Sequence, residues 1–471
     1  MKQKFLKWSV VSLVASLAVG VVSAQETNEV ELLRRELREM REHMQVLEQK
    51  LGSIEQKSVV VAAPVATPPE TPPVGSSAWK PADALRVAKG GAYVDVSMVA
   101  TFAVGASTAS DIQGGTQLGG HDPNQRGFTV QGAELNLQGA VDPYFRGNAN
   151  VVFQLDSGGE SFVELEEAWL ETTSLPGNVQ IRAGQYLTEF GRINTQHPHT
   201  WGFVDAPLVS GRLLGEDGVR NPGARISWLV PTPFYSELFF GVQDSQGGTA
   251  ASFRSRHGGV GYLGRLQDEG QVKSAGDMLY SARYAASFDL TDTQTILAGA
   301  SALFGPNGSG TDTDTQIYGV DVYWKWKPDN AHAGFPFVSW QTEAMLRKYQ
   351  TGAATSVDLT GDGFPDFVPG ETLTDWGLYS QVLYGFRPGW VAGLRGDYVT
   401  RSKSAAYEVL YGADPNRATR WRISPNLTWY PTEFSKLRLQ YNYDDRGRIG
   451  QDHSVWLQFE FLLGAHAAHK F

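Results

Sequence analysis

The stretch 190–221 combines aromatic and aliphatic residues with charges of both signs. Its ionisable residues are Arg192, His197, His199, Asp205, Arg212, Glu216, Asp217 and Arg220. If such a stretch narrows a water-filled passage, opposite charges face each other across a gap of low dielectric constant. Their transverse field then decides which solutes pass. These eight residues are therefore the predicted lining of a pore constriction.

His197 and His199 also suggest a metal site, because two imidazoles two residues apart can share a Zn²⁺ ion. A zinc site needs three or four ligands, and Pro198 constrains the backbone between the histidines. His466 and His469 form a second pair near the C-terminus. The alternative interpretation is that these histidines are polar hydrogen-bonding residues of a folded loop. The sequence leaves both interpretations open.

The turn from Asp358 to Asp366 resembles a calcium-binding loop. Oxygen-bearing side chains stand at its first, third, fifth and ninth positions, which are Asp358, Thr360, Asp362 and Asp366. Gly363 supplies the sharp bend, but Pro369 stands where a bidentate glutamate is usual. The pattern predicts a Ca²⁺ site in an extracellular loop, and the alternative is a surface turn rich in Asp and Gly.

Catalytic residues are not identifiable in this sequence. Serines and histidines occur, but no spacing selects a nucleophile, a histidine and an acid that would act together. The chain has no cysteine, which excludes disulfides and cysteine-based metal or redox centres. We therefore expect a protein that is not an enzyme and that requires no cofactor.

The elements that position these residues are predicted to be β-strands. From Ala92 to Leu463 the chain reads as about 16 strands with period-2 alternation. In the last of them Val455, Leu457 and Phe459 fall on one face, while Trp456 and Gln458 fall on the other. The pattern predicts an all-β fold, a 16-stranded antiparallel transmembrane β-barrel with apolar residues facing lipid and polar residues facing the lumen.

The connections between the predicted strands alternate in length. Short connections carry turn residues, as in Asp142-Pro143 and Pro431-Thr432. Long connections follow the odd-numbered strands, at 107–125, 190–221, 244–275, 350–372 and 402–417. Such asymmetry is typical of barrels with periplasmic turns and extracellular loops, and it puts the start of the first strand in the periplasm.

The segment before the barrel divides into three parts. Residues 1–24 read as a signal peptide, with Lys2, Lys4 and Lys7 before an apolar run and Val22-Ser23-Ala24 at its end. Residues 25–57 contain about four heptads and predict a short periplasmic coiled coil. Residues 58–84 form a Pro-rich, extended linker, and residues 85–471 are the predicted barrel.

The charge balance is acidic. The formal net charge is −10 for the whole chain, and loss of the three signal-peptide lysines changes it to −13. An acidic protein is a poor candidate for binding nucleic acid, so we expect no nucleic-acid partner.

Several short motifs resemble a family of Gram-negative outer-membrane proteins. They are Val163-Glu164-Leu165-Glu166-Glu167-Ala168-Trp169, Arg182-Ala183-Gly184-Gln185-Tyr186, Phe190-Gly191-Arg192 and His197-Pro198-His199. The chain is similar to the family near the phosphate-selective porins O and P, of which some members are labelled zinc-regulated outer-membrane proteins. The resemblance implies a trimeric 16-stranded channel whose third long loop folds into the barrel. The phosphate-selective members line their pore with a ladder of arginines and lysines, and no such ladder is identifiable in this sequence.

The function predicted from these features is that of an outer-membrane porin. Small hydrophilic solutes or ions would diffuse through a water-filled barrel, narrowed by an inward-folded third long loop. The alternatives are a substrate-specific channel for phosphate, a metal or a small organic solute, and an envelope-tethering barrel with a periplasmic coiled coil. The expected partners are two further copies in a homotrimer, outer-membrane lipid and lipopolysaccharide.

Overall fold

The computed structural model describes residues 85–464, except 90, 157, 255–261, 266–269, 356–357 and 359. The described residues all belong to one compact unit, Trp79–Phe471. The predicted signal peptide, coiled coil and linker lie outside the described residues, as do His466, His469 and the terminal Phe471. Those predictions therefore stay predictions.

A closed ring of antiparallel strands forms from the described residues, and it has sixteen members. They are β2 (Ala92–Ser107), β3 (Gly127–Ala140), β4 (Phe145–Leu155), β5 (Ser161–Thr172), β6 (Val179–Leu187), β7 (Arg220–Leu229), β8 (Tyr235–Asp244), β9 (Met278–Thr291), β10 (Gln294–Pro306), β11 (Asp314–Trp326), β12 (Phe337–Gln350), β15 (Thr372–Arg387), β16 (Trp390–Val399), β17 (Arg420–Thr432), β18 (Ser435–Asp445) and β19 (Gln451–Leu463). Each strand pairs with the next, and β19 closes the ring by pairing with β2, from Ser454 opposite Ser107 to Leu463 opposite Met98. The prediction of a 16-stranded antiparallel barrel is confirmed.

The remaining elements are short. A strand that the sequence pattern did not predict, β1 (Leu85–Lys89), pairs with β2 from Val96 to Ala92, just beyond the part of β2 that pairs with β19. The hairpin β13 (Ala354–Thr355) and β14 (Phe367–Val368) lies in the connection between β12 and β15. The helices are α1 (Leu208–Leu213), α2 (Ala405–Tyr411) and 3₁₀ turns at Pro176–Asn178, Ile193–Thr195, Pro198–Thr200, Ala275–Asp277 and Pro415–Arg417. None of the helices in the described part of the chain has the length and apolar character needed to cross a membrane.

Alternation along the strands separates an apolar outer surface from a polar interior. In β19, Val455 is 47% exposed and Phe459 is 37% exposed, whereas Trp456 and Gln458 are buried. Successive side chains of a strand point to opposite faces, so the period-2 pattern of the sequence becomes an outer face and an inner face. The buried polar and charged residues of the other strands lie on the inner face in the same way. An apolar exterior around a polar interior is the arrangement of a transmembrane barrel.

The connections differ at the two ends of the ring. At one end they are short, as at 141–144, 230–234, 292–293 and 388–389. At the other end lie the long connections 108–126, 188–219, 245–277, 351–371 and 400–419. The alternation predicted from turn residues is therefore present, although 327–336 is a longer connection at the short end, and 156–160, 307–313 and 446–450 are short ones at the long end.

Candidate functional site

The segment between β6 and β7, residues 188–219, carries most of the predicted constriction residues; we call it the β6–β7 segment. It contains two 3₁₀ turns and helix α1. The predicted stretch ended at residue 221, but Arg220 and Asn221 pair with Leu187 and Tyr186. Arg220 is therefore the first residue of β7 and lies on the barrel wall.

The C-terminal half of the segment is anchored by apolar packing. Leu208, Val209 and Leu213 of α1 are all at most 1% exposed. They belong to one buried cluster with residues from six barrel strands and from the next long connection, namely Leu279, Leu303, Ile317, Met345, Tyr379, Val399, Ala250 and Phe253. Helix α1 has no side-chain cap at its start, which Pro207 precedes. A six-residue helix is too short to be stable alone, so this packing must hold it.

A buried glutamate of β12 fixes the start of the segment. Oε1 of Glu343 accepts a hydrogen bond from the backbone N–H of Ile193 at 2.7 Å and another from the hydroxyl of Tyr379 at 2.6 Å. The N–H of Gly191 donates to Oγ of Ser301, on β10, at 3.1 Å. These contacts supply hydrogen-bond acceptors to backbone N–H groups that lie outside helices and strands.

Asp205 is the centre of a buried ionic network. Its Oδ1 lies 2.6 Å from Nη2 of Arg395 on β16, and its Oδ2 lies 2.9 Å from Nη1 of Arg422 on β17. Gln440 and Asn442 of β18 donate to the same carboxylate at 2.9 Å each. Burial opposes the charge of Asp205, but the two guanidinium groups outweigh burial and lower the pKa of the carboxyl. Asp205 is thus ionised and fully paired.

His197 lies among carboxylates. Its Nδ1 is 2.8 Å from Oε2 of Glu166 and 3.6 Å from Oε1 of Glu134, and its Nε2 is 3.2 Å from Oε2 of Glu167. Burial opposes protonation, but the charges of Glu166 and Glu134 outweigh it and raise the pKa of His197 well above its usual value. The ring of His199 stacks on His197 with centroids 5.7 Å apart.

A β-bulge brings two neighbouring glutamates to this place. Asn150 of β4 pairs with Glu167, whereas Val151 pairs with Leu165, so Glu166 is the extra residue in β5. Both Glu166 and Glu167 are buried as a result. A regular strand would have turned one of them toward the outside.

His199 links the segment to the wall on two sides. Its Nδ1 lies 2.8 Å from Oε2 of Glu134 on β3, and its carbonyl oxygen accepts a hydrogen bond from Nζ of Lys436 on β18 at 2.6 Å. Beside it, the carbonyl oxygen of Val204 accepts from Nε2 of Gln131 at 3.0 Å. Both histidines that were predicted as candidate metal ligands therefore contact protein groups, and metal binding stays a prediction.

Two arginines of the segment have different surroundings. Nε of Arg192 donates to Oε1 of Gln341 at 3.3 Å, and its guanidinium lies 4.1 Å from the ring centroid of Tyr323. Nη2 of Arg212 lies 3.5 Å from the carbonyl oxygen of Ala418. Burial, followed by the charges of Arg417 and Arg420, lowers the pKa of Arg212 to about 10.

The remaining predicted residues lie at the end of the segment. Glu216 is exposed, and its carbonyl oxygen accepts from the N–H of Gly120 at 2.9 Å. Oδ2 of Asp217 is 3.8 Å from Nη2 of Arg220, which also contacts Glu164 of β5. The structure therefore brings Asp217 and Arg220 together, whereas it places Arg192 against β11 and β12.

A cavity of about 220 Å³ lies beside the segment, toward the end of the barrel with short connections. The charged groups of its lining are Arg146, Arg182, Arg192, Arg283, Glu167, Glu189 and His197. Arg192 and His197 are therefore the predicted constriction residues that face this cavity. Cations outnumber carboxylates among these residues.

Inward-facing arginines are the main feature that the sequence reasoning missed. Fully buried examples lie on β16, β17 and β18, and they are Arg395, Arg422 and Arg438. Most are paired within the wall, as Arg347 is with Asp375 at 2.6 Å and Arg283 with Asp321 at 2.6 Å. The signal that was available is an arginine on the polar face of an alternating strand, but that pattern alone does not show whether a carboxylate neutralises it.

The turn from Asp358 to Asp366 satisfies its own backbone. Oδ1 of Asp358 accepts from the N–H of Gly361 at 2.6 Å, and its Oδ2 accepts from the N–H of Gly363 at 2.8 Å. Asp366 accepts from the N–H of Thr360 at 3.0 Å, and Asp362 accepts from the N–H of Phe364 at 2.9 Å. These bonds account for the turn without an ion, and Ca²⁺ binding stays a prediction.

The sixteen-stranded ring with its polar interior has the outer-membrane porin type of β-barrel fold. The chain is 30% identical over 375 residues to an uncharacterized protein of Aquifex aeolicus, covering 75% of this chain and 73% of that one, and it belongs to the same family. No family model matches the sequence.

Two solved structures are similar in fold. The outer membrane channel DcaP of Acinetobacter baumannii matches with a TM-score of 0.51 and 13% identity, covering 80% of this chain and 99% of that one. The anion-selective porin from Comamonas acidovorans matches with a TM-score of 0.47 and 8% identity, covering 79% of this chain and 100% of that one. The first of these likenesses supports the fold.

Proposed function

We propose that this chain is an outer-membrane porin through which small hydrophilic solutes and ions diffuse passively, and that the β6–β7 segment narrows its pore. The observation that carries the proposal is the reach of the segment's hydrogen bonds. They run to β3, β5, β10, β12, β16, β17 and β18, which are spread around the ring. A segment lying outside the wall, or across one edge of the rim, would contact only neighbouring strands.

The membrane location follows from the surface of the ring. The strands expose large apolar and aromatic side chains such as Phe128, Trp228, Leu394 and Phe461. A soluble protein rarely exposes so many, whereas the acyl chains of lipid would cover them. We infer an outer membrane with lipopolysaccharide, with the short connections and the predicted coiled coil in the periplasm.

A homotrimer is part of the proposal. The heptad pattern within residues 25–57 needs partner helices to be stable, and three parallel copies would supply them. Trimers that persist in detergent until heated, in gel electrophoresis and light scattering, are the expected observation. Monomers alone in both measurements would contradict it.

A second candidate is a channel selective for phosphate or a small organic anion. The cavity beside the segment favours it through Arg192, whose guanidinium contacts Gln341 and Tyr323. The other three lining arginines are paired with carboxylates, Arg146 and Arg182 with Glu171 and Arg283 with Asp321. A concave site that presents a positive group such as Arg192 attracts anions. Saturation of the current by millimolar phosphate or a small carboxylate, but not by a neutral sugar, would support this candidate over general diffusion.

The test is the reversal potential of single channels across a KCl gradient in planar bilayers. Changing Glu216→Gln and Asp217→Asn together should shift selectivity toward anions, because a unit charge about 4 Å from a solute ion contributes about 4 kcal/mol at an effective dielectric of 20. The matched control is Glu408→Gln with Asp414→Asn, in the connection 400–419. There, charges in bulk electrolyte are screened over about 8 Å, so a smaller shift is expected.

Equal reversal potentials for the two double variants would contradict the proposal that the segment forms the constriction. A purified wild-type protein that inserts and yet conducts no ions would contradict the porin proposal as a whole. That result would favour the envelope-tethering alternative, in which the barrel is only an anchor.

A further inference from the structure

We propose that Glu134, Glu166 and His197 bind one divalent transition-metal ion, preferentially Zn²⁺, which fastens the β6–β7 segment to the barrel wall. One ligand atom from each residue lies within 4.8 Å of the others. Nδ1 of His197 is 2.8 Å from Oε2 of Glu166 and 3.6 Å from Oε1 of Glu134. Ligands about 2.0–2.1 Å from a tetrahedral zinc ion are themselves about 3.3 Å apart, so small side-chain rotations would complete the site.

The second nitrogen of His197 is already oriented as in metal sites. A histidine ligand commonly donates its other ring N–H to a carboxylate, which fixes the ring and makes the ligating nitrogen more basic. Nε2 of His197 faces Oε2 of Glu167 at 3.2 Å, while Nδ1 faces the two candidate ligand oxygens. Nδ2 of Asn150 lies 3.2 Å from the same Nδ1 and donates to Oε1 of Glu134, so a bound ion would displace this amide. Nδ1 of His199 holds the other oxygen of Glu134 at 2.8 Å in the same supporting role.

The charge balance of the cluster also calls for a cation. Its carboxylates are Glu134, Glu164, Glu166, Glu167 and Asp217, and its bases are His121, His197, His199 and Arg220. Five acids therefore face four bases. A divalent ion between Glu134, Glu166 and His197 would offset this negative excess in a mostly buried region.

The donor set indicates the kind of metal. One imidazole nitrogen and two carboxylate oxygens match the ligands of Zn²⁺ and Co²⁺, whereas Ca²⁺ and Mg²⁺ prefer six or more oxygens. The fourth position of a tetrahedral ion would be left to water.

A neighbouring triad shows why the proposal is restricted to one site. His121, Glu164 and Asp217 also converge, but the guanidinium of Arg220 contacts Glu164 and lies 3.8 Å from Asp217. A cation therefore already occupies that place. Arg220 approaches the proposed site only at Oε1 of Glu166, at 3.7 Å, and leaves Oε2 to His197.

The experiment is isothermal titration of tag-free, detergent-purified protein with ZnCl₂, together with the visible absorption of added Co²⁺. The expected result for wild type is a Zn²⁺ equivalent that His197→Gln and Glu166→Gln both lack, and the intense Co²⁺ bands of tetrahedral coordination. His199→Ala, which removes only a supporting contact, should weaken Zn²⁺ binding about 10–100-fold. His453→Gln is the matched control. That histidine is exposed and bonds to Tyr441 of β18, away from the buried cluster, so the variant should retain full Zn²⁺ binding.

Wild-type protein without Zn²⁺ binding, or with only the weak bands of octahedral Co²⁺, would overturn the proposal without any variant. Full Zn²⁺ stoichiometry in His197→Gln, in protein whose circular dichroism and unheated gel mobility match wild type, would overturn it as well. Channel conductance is a separate measurement, so loss of this site leaves the porin proposal standing, and the reverse also holds.

Discussion

The two halves of the β6–β7 segment are anchored by different physics. From Leu208 to Leu214 the contacts are mainly apolar, and the buried side chains pack against β9, β10, β11, β12, β15 and β16. From His197 to Asp205 the contacts are ionic, and the carboxylates and guanidinium groups that hold this half lie on β3, β5, β16 and β17. One segment is therefore attached to the ring in two ways, through sets of strands that share only β16.

The two halves should differ in how much stability the protein loses when one side chain is substituted. Apolar packing is non-directional, so truncation of one side chain costs its own burial and a residual cavity. Every member of a buried ionic network has already lost its hydration on folding. Removal of one partner therefore leaves another charge buried and unpaired. The ionic half should therefore be more sensitive to single substitutions and to pH than the apolar half.

The largest effect is expected for Asp205→Ala. The change leaves Arg395 and Arg422 without one of their carboxylates, and breaking a buried pair in this way destabilises by about 3–5 kcal/mol. Denaturant unfolding of detergent-solubilised protein, followed by tryptophan fluorescence, measures it. The control is Glu433→Gln, an exposed residue of the short connection between β17 and β18, which should unfold like wild type. If the free energy of unfolding falls no more in Asp205→Ala than in the control, the network does not contribute to stability.

A somewhat smaller effect is expected for Leu213→Ala, in the apolar half. Leu213 is 1% exposed within the largest buried cluster, and truncations of buried leucine cost about 2–5 kcal/mol according to how far the site collapses. The same unfolding measurement applies. Leu410→Ala, on the partly exposed face of α2, is the matched control and should cost much less. If Leu213→Ala costs more than Asp205→Ala, the contrast between the halves is reversed.

The smallest effect is a pH dependence that arises at Asp122, in the connection 108–126, beside the ionic half. Asp122 is buried and accepts hydrogen bonds from the N–H groups of Gly119 and Ala206. Burial, with the charge of Asp205 as the next cause, raises the pKa of Asp122 to about 7 from 3.8. Between those two values the folded protein keeps a proton that the unfolded chain has lost. Stability should therefore fall as pH rises toward 7 and then stay level.

Apparent melting temperatures between pH 5 and 8 measure this dependence. Asp122→Asn cannot ionise and should show a shallower fall, even if its stability is lower at every pH. Leu213→Ala should keep the wild-type slope, because the titrating group is intact. An unchanged slope in Asp122→Asn would assign the pH dependence to other groups.

The sequence determined the architecture because its signal is local. Alternation with period 2 is written into each strand, and turn residues mark the ends, so the strand number, the two faces and the unequal connections could be read without tertiary information. The sequence also identified 190–221 as the long connection whose charged residues could line a pore. Its end was wrong by two residues, since Arg220 and Asn221 continue the strand pattern through pairing with β6.

Only the tertiary structure decided which groups meet. Ile193 bonds to Glu343 across 150 residues of sequence, and Asp205 bonds to Arg395 across 190. Closure of the ring brings these residues together. The curvature of the sheet cannot be predicted from the pattern within any single strand. The bulge at Glu166 likewise breaks the alternation that a sequence reader must assume. His197 could be named from its neighbours in the chain, but the carboxylates around it were assembled by the closed barrel.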